Sequence, residues 1–311
     1  MKQLFVLLLL GVWGGAAFGC DLCSGYLGIN PNYNQHTVNF RYRMSSFAGN
    51  HSHLTYPSEA VNHHHTRQDA GKYMHEYFET YELWGRFYPV PKLQVVASLP
   101  YARNLETYAG DTVAYIHGVR DAFALAQYQL VNSTPADSNG FQHRLLLGGG
   151  LKVPTGAYDV RSDDETWNPL LQPGTGSYDV LLAATWLAKM GRFGVSTDVL
   201  ATIATRNPVD YRFANRINVT AHLFYQQKVG AFTVMPYAGS YMEGSNTDTW
   251  QNTQQLNTGG TVVFTSMGLD VFFKRFSATA TLQLPTYERL NGSQGVNEPR
   301  VMLGFGYAIN Q

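Results

Sequence analysis

The feature that most constrains this chain is a period of two. About a dozen segments alternate apolar and polar side chains, and none after the N-terminal leader is a long apolar run. The last segment is the clearest. Val301, Leu303, Phe305, Tyr307 and Ile309 fall on one face of a strand, and Arg300, Met302, Gly304, Gly306, Ala308 and Asn310 on the other. Around 275–285, Phe276, Ala278, Ala280, Leu282 and Leu284 alternate with Ser277, Thr279, Thr281 and Gln283. Applied throughout, the pattern predicts strands at about 36–48, 72–88, 92–105, 117–131, 141–153, 177–190, 192–205, 214–228, 230–243, 257–272, 274–287 and 297–310.

The connections carry a second rhythm. Tight gaps near Pro89-Val90-Pro91, Gly191, Val229-Gly230 and Phe273, and a somewhat longer one at 132–140, alternate with long gaps at 49–71, 106–116, 154–176, 206–213, 244–256 and 288–296. Strands with one apolar face, joined alternately by short and long connections, are the pattern of a transmembrane β-barrel. The expected fold is therefore all-β: a closed antiparallel barrel of about twelve strands. Closure is required because an open sheet edge in lipid leaves backbone groups unpaired. Short turns then face the periplasm, long loops face outside, and both chain ends lie in the periplasm.

Composition agrees with this. Charged residues make up 14 % of the 311, net charge is zero, and there are 20 Tyr and 17 Phe. A neutral chain has no electrostatic footprint for nucleic acid, and the aromatics suit girdles at two membrane interfaces. The start reads as an export signal: Lys2, then the apolar Leu4 to Leu10, then Ala17-Phe18-Gly19 as a small-x-small cleavage site. The expected division is a signal peptide at 1–19, a periplasmic arm or plug at 20–35, and an outer-membrane barrel at 36–311. Lipidation of Cys20 is the alternative to simple cleavage.

The polar parity collects charge. Arg41, Arg43, Glu82, Arg86, Asp121, Arg144, Lys152, Asp179, Asp198, Arg216, His222 and Arg300 all fall on the side expected to line the lumen. Arg or Lys on the lipid face would cost about 2–4 kcal/mol near the midplane. Glu79 falls on the other parity and is expected above the bilayer. The mixed signs leave two readings, a selectivity path or pairs that fill a narrow interior. No ring of one sign is present.

Two clusters suggest metal. Six of the ten histidines lie between 51 and 75: His51, His53, His63, His64, His65 and His75. Neutral imidazole ligates zinc and copper, and the plain alternative is a polar external loop. Cys20 and Cys23 form C-x-x-C, read as a local disulfide or a soft Cu(I) site. A hydrolase would need a Ser–His–carboxylate set. There is no G-x-S-x-G elbow, and His222 has no evident nucleophile partner, so no enzyme is expected.

Several segments resemble the phenol-degradation MetA-pathway transporter-like family of outer-membrane barrels. They are Leu93-Gln94-Val95-Val96-Ala97-Ser98-Leu99-Pro100-Tyr101, Gly118-Val119-Arg120-Asp121, Leu151-Lys152-Val153-Pro154-Thr155-Gly156 and Gln172-Pro173-Gly174-Thr175-Gly176-Ser177-Tyr178-Asp179. The family usually shows Gly-x-Gly-Asp where this chain has Arg120. The likeness covers about residues 82–190 and implies an outer-membrane transporter for small hydrophobic or aromatic compounds. The start Cys-Asp-Leu-Cys, with Val38-Asn39-Phe40-Arg41-Tyr42-Arg43, is similar to a Bacteroidetes-type subset associated with periplasmic metal proteins. The expected partners are outer-membrane lipid, the barrel-assembly machinery, and a small-molecule or metal-ion cargo. The expected function is a small-solute channel. Its alternatives are capture of copper or zinc, or a non-transporting structural or receptor barrel.

Overall fold

The computed structural model describes residues 34–49, 74–133, 140–161 and 167–309. Twelve antiparallel strands form a closed barrel. They are β1 (Thr37–Gly49), β2 (Met74–Val90), β3 (Leu93–Tyr108), β4 (Asp111–Val119 with Ala122–Asn132), β5 (Phe141–Val153), β6 (Asp179–Met190), β7 (Phe193–Ala204), β8 (Arg216–Tyr225 with Gln227–Val229), β9 (Phe232–Ser245), β10 (Gly260–Phe273), β11 (Phe276–Leu290) and β12 (Arg300–Ala308). Each strand pairs with its neighbours in sequence, and the seam closes between first and last. Arg41 of β1 stands opposite Glu82 of β2 on one side and Gly304 of β12 on the other.

The two faces differ as the period-two pattern requires. Outward are Phe40, Leu83, Leu99, Leu151, Leu182, Ile203, Leu223, Leu303 and Phe305, all exposed, while most of the residues between them along the strands are buried. Exposed apolar area on this scale is unfavourable in water and favourable against acyl chains.

Aromatic pairs mark both ends of the apolar band. Toward the long loops, Tyr42, Tyr81 and Tyr101 stand side by side across β1 to β3. Toward the short turns, Phe193–Tyr225, Phe232–Phe273 and Phe276–Tyr307 are in ring contact. Glu79 does face outward, in the first of these belts. There it accepts a hydrogen bond from the Tyr42 hydroxyl (2.9 Å) and pairs with Arg103 at 3.4 Å.

Three details depart from the pattern. The expected loop at 106–116 is a hairpin: β3 and β4 run on past the aromatic belt and turn at Ala109–Gly110. Beyond the lipid the outer face has no need of apolar residues, so alternation fades. Second, β4 carries a bulge. Leu99 and Pro100 of β3 lie opposite Arg120, Asp121 and Ala122, so the extra residue lets Arg120 and Asp121 both turn inward and reverses the parity beyond them. Third, short strands inside two expected loops, Tyr211–Arg212, Thr249–Trp250 and Thr253–Gln254, form a small separate sheet.

Candidate functional site

The connection from β5 to β6 folds inward over the mouth of the barrel. Leu171 is 1 % exposed and packs against Phe47, Phe78, Ala114 and Ile116, which project inward from β1, β2 and β4. The Asn104 side-chain amide donates to the Leu171 carbonyl at 2.7 Å. A second apolar cluster joins Trp167 of this connection to Tyr211 and Phe213, with Trp250 against it, so the external connections share a core of their own. Asp248, in the β9–β10 connection, accepts from the Tyr211 hydroxyl (2.8 Å) and the Ala214 amide (2.7 Å). Burial holds its carboxyl above the usual carboxylate range, and Arg216 and these donors only reduce that rise.

The foot of the inward connection is tied by a buried polar cluster. Lys152 pairs with Asp179 at 2.6 Å and Asp121 at 3.2 Å, and its side chain is 1 % exposed. Lys152 also bonds Thr175. Asp121 accepts from the Thr175 amide (2.8 Å) and hydroxyl (2.7 Å) and from the Gly156 amide (3.0 Å). Ser177 donates to Asp179, and the Asn207 side chain donates to the Thr175 carbonyl. Gly156 and Gly174 let two backbones touch: a methyl on Gly174 would come within 2.4 Å of the Gly156 carbonyl oxygen. Three of the segments that carry the family resemblance, 118–121, 151–156 and 172–179, therefore meet at one point in space. The arginine at position 120 is accommodated by the bulge, and its carbonyl accepts from the Thr155 hydroxyl.

Below the mouth the interior is both charged and apolar. Arg41 donates through Nε to Glu82 (2.7 Å), and Ser98 donates to the same carboxylate. Arg41 and Arg86 lie on either side of Trp84 at 5.7 and 5.5 Å from its ring. A hydrogen-bonded chain then follows the wall from Tyr88 to Gln94, Gln127, Thr185 and Asp198, with steps of 2.7–3.2 Å. On the other wall, level with the mouth cluster, Arg300 pairs with Glu243 at 2.6 Å and lies 4.1 Å over the Phe264 ring and 5.9 Å from that of Phe47. Between these polar groups sit an inward patch of Val96, Leu125, Leu181 and Leu200, and another of Phe224, Met235 and Tyr237.

Arg43, Asp198, Arg216 and His222 are likewise buried on the inward parity. His222 lies 4.8 Å from the Tyr237 ring, and Arg144 is half-buried near the short-turn end of β5. Sequence reasoning missed Glu243, Gln94, Gln127 and Leu171. Glu243 was within reach, because it continues the parity of Met235, Tyr237 and Tyr241. Of the histidine cluster, His75 is the second residue of β2 and stacks on Tyr77. His51, His53, His63, His64, His65, Cys20 and Cys23 lie outside the described residues. Among the described residues no three His, Cys, Asp or Glu side chains are grouped to hold a metal.

A closed barrel with an apolar band outside and a polar, ion-paired interior defines an outer-membrane type of β-barrel. No family model matches the chain, and no curated protein does. Among solved structures it is similar to an outer membrane channel from Pseudomonas putida F1, at 15 % identity and TM-score 0.57 over 91 % of this chain and all of that one. The β domain of a Bordetella autotransporter matches at 11 % identity and TM-score 0.47, over 89 % of this chain and 100 % of that one. A FadL homologue of Pseudomonas aeruginosa matches at 10 % and 0.40, over 89 % and 91 %. The first of these shares the fold, and the fold is that of Gram-negative outer membrane proteins.

Proposed function

We propose that the chain is an outer-membrane channel for small, partly hydrophobic solutes, occluded at its mouth by the β5–β6 connection. The observation that carries this is the interior. Ion pairs and amide side chains alternate there with inward Val96, Leu125, Leu181 and Leu200, a lining that suits a solute with one polar and one apolar part. Twelve strands enclose less room than the 16–18 of general porins. The segments resembling the phenol-degradation transporter-like family and the shared fold of a Pseudomonas channel support the same reading. The leader at 1–19 and the arm at 20–35 belong to it as export signal and second obstruction. No step of it uses the protein as an enzyme.

Planar-bilayer recording and liposome swelling test it. Wild type is expected to conduct weakly. Replacing 167–172 by Gly and Ser is expected to raise conductance severalfold and to speed swelling in small aromatic carboxylates more than in sugars of equal mass. If neither wild type, the loop variant nor a chain lacking residues 20–35 conducts or passes solute, the channel reading falls and a structural or receptor barrel takes its place.

A second reading rests on six histidines within residues 51–75. In this orientation five of them belong to the external β1–β2 connection and His75 to the adjoining end of β2, where they capture zinc or copper. Isothermal titration is expected to show binding that weakens below pH ~6.5, as imidazole protonates. Replacing His63, His64 and His65 with Ala is expected to abolish it. Unchanged affinity would leave the loop as polar surface only.

A further inference from the structure

Among the described residues the short-turn end of the barrel carries charge of one sign; Asp137, in the turn at 132–140, lies outside them. The turns and the three residues on either side of them include Lys92, Lys189, Arg192, Lys228, Lys274 and Arg275, and no Asp or Glu among the described residues. The cations sit on the aromatic belt. Arg192 donates to the Tyr225 hydroxyl at 3.2 Å, Lys274 lies 5.2 Å from the Phe273 ring, and Arg275 donates to the Tyr307 hydroxyl at 3.4 Å. The other end has both signs, with Glu79, Asp159, Asp210 and Glu288 beside Arg103, Arg161 and Arg206.

Within this belt the outer wall is grooved across β6 to β9. A cavity of about 590 Å³ opens there, with an almost wholly apolar lining. Its outer rim is a row of large side chains paired across the strands: Phe141, Met190, Phe193 and Tyr225. Met190 and Phe193 are 64 % and 68 % exposed. One row further in, the small Ala188 and Ala238 flank Val195 and Leu223 and leave the depression between. Pro236 interrupts the ladder at its edge. Arg192 stands at the turn end of this groove, bonded to the outward Tyr225 and Gln227, whereas Lys228 pairs with Thr233 and Lys189 donates to Gln226 on the inward parity.

We propose that this groove binds one anionic glycerophospholipid of the periplasmic leaflet. An acyl chain lies along Ala188, Val195 and Ala238, and the phosphate rests on Arg192. The charge supports this occupant: a hydrocarbon slot that ends at an outward guanidinium on the phospholipid side of the membrane matches a phosphodiester with a tail. The orientation rests on the outer-membrane reading given above.

Trp186 is the reporter. It faces outward, 39 % exposed, two residues along β6 from Ala188. The protein is reconstituted in vesicles of phosphatidylcholine containing brominated phosphatidylglycerol or brominated phosphatidylcholine at equal mole fraction. The Trp186→Phe variant is subtracted to isolate this residue. Brominated phosphatidylglycerol is expected to bind beside Trp186 about fivefold more tightly than phosphatidylcholine, the scale of one well-placed cation at a membrane surface. The preference is expected to vanish in Arg192→Gln and to persist in Lys228→Gln, whose side chain is on the inward parity, and quenching by either lipid to drop in Ala238→Phe. Equal quenching by the two lipids, or a preference that survives Arg192→Gln, overturns the site and leaves the membrane reading intact. No quenching of Trp186 by any brominated lipid overturns both.

Discussion

Lys152→Met is expected to destabilise the barrel by about 3–5 kcal/mol, because it leaves the Asp121 and Asp179 carboxylates buried without their shared cation. The effect should be local before it is global. Asp121 holds the Thr175 and Gly156 amides, so the connection from β5 to β6 loses its tether at both ends. Two measurements follow the two consequences. The urea midpoint, read by the mobility of folded barrel in cold detergent gels, should fall. Single-channel conductance should rise toward that of the 167–172 replacement. A triple variant, Lys152→Met with Asp121→Asn and Asp179→Asn, should recover part of the lost stability, since neutral amides are cheaper to bury than unpaired carboxylates. It should not recover the closed mouth, because the charge-assisted bonds to the loop are gone. If Lys152→Met shifts neither readout, the cluster does not hold the connection in place.

A larger effect is expected from any side chain at Gly148 or Gly150. A methyl there would lie 1.9 Å from the Ala126 carbonyl oxygen or 2.0 Å from that of Ala124. Both oxygens belong to the paired backbone of β4. Neither can move without opening the ladder, and an open ladder in lipid exposes groups that have no other partner. Gly148→Val should therefore give no folded barrel at all, a loss beyond the roughly 5–15 kcal/mol that holds an ordinary domain. Gly304→Ala is the control. It lies on the inward face of β12, where the nearest atom to a new methyl is Thr279 Cβ at 3.5 Å, an ordinary contact. That variant should assemble with near-native stability. A Gly148→Val chain that runs as a folded barrel would show that β4 and β5 part more easily than their register suggests.

The barrel was legible in the sequence because lipid and lumen impose opposite demands on alternate residues. The row Val301, Leu303, Phe305, Tyr307 is readable with no knowledge of its neighbours. The hairpin at 106–116 was not, because above the lipid the outer face is free to be Thr107 or Thr112. These two pair with each other, while Asp111 pairs with Tyr108 on the other parity, and only Ala114 and Ile116 on the inner face keep a pattern. The bulge at Arg120–Asp121 was hidden for a different reason. It is a count of two residues against three on paired strands, and one strand alone does not contain it. The infolded connection did leave a trace, since Trp167, Leu170 and Leu171 are too apolar for an external loop. The partner of Arg300 is separated from it by 57 positions, and only the curvature of the closed wall brings Glu243 within reach.

The seam between β1 and β12 makes assembly a matter of order in time. Thr37–Met44 pair with residues 301–308, so the first strand to leave a secretion channel must wait for the last. Through that interval one ladder of amides and carbonyls stays without its mate, and the longest loop closure in the chain is made at the end rather than the beginning. A chain halted after β11 would hold every hairpin and still present two raw edges to any neighbour able to add a strand. Residues 300–308 thus act as the latch of the whole circumference, and a helper that guards or templates an unpaired strand would have its task set by the arrival of that final segment.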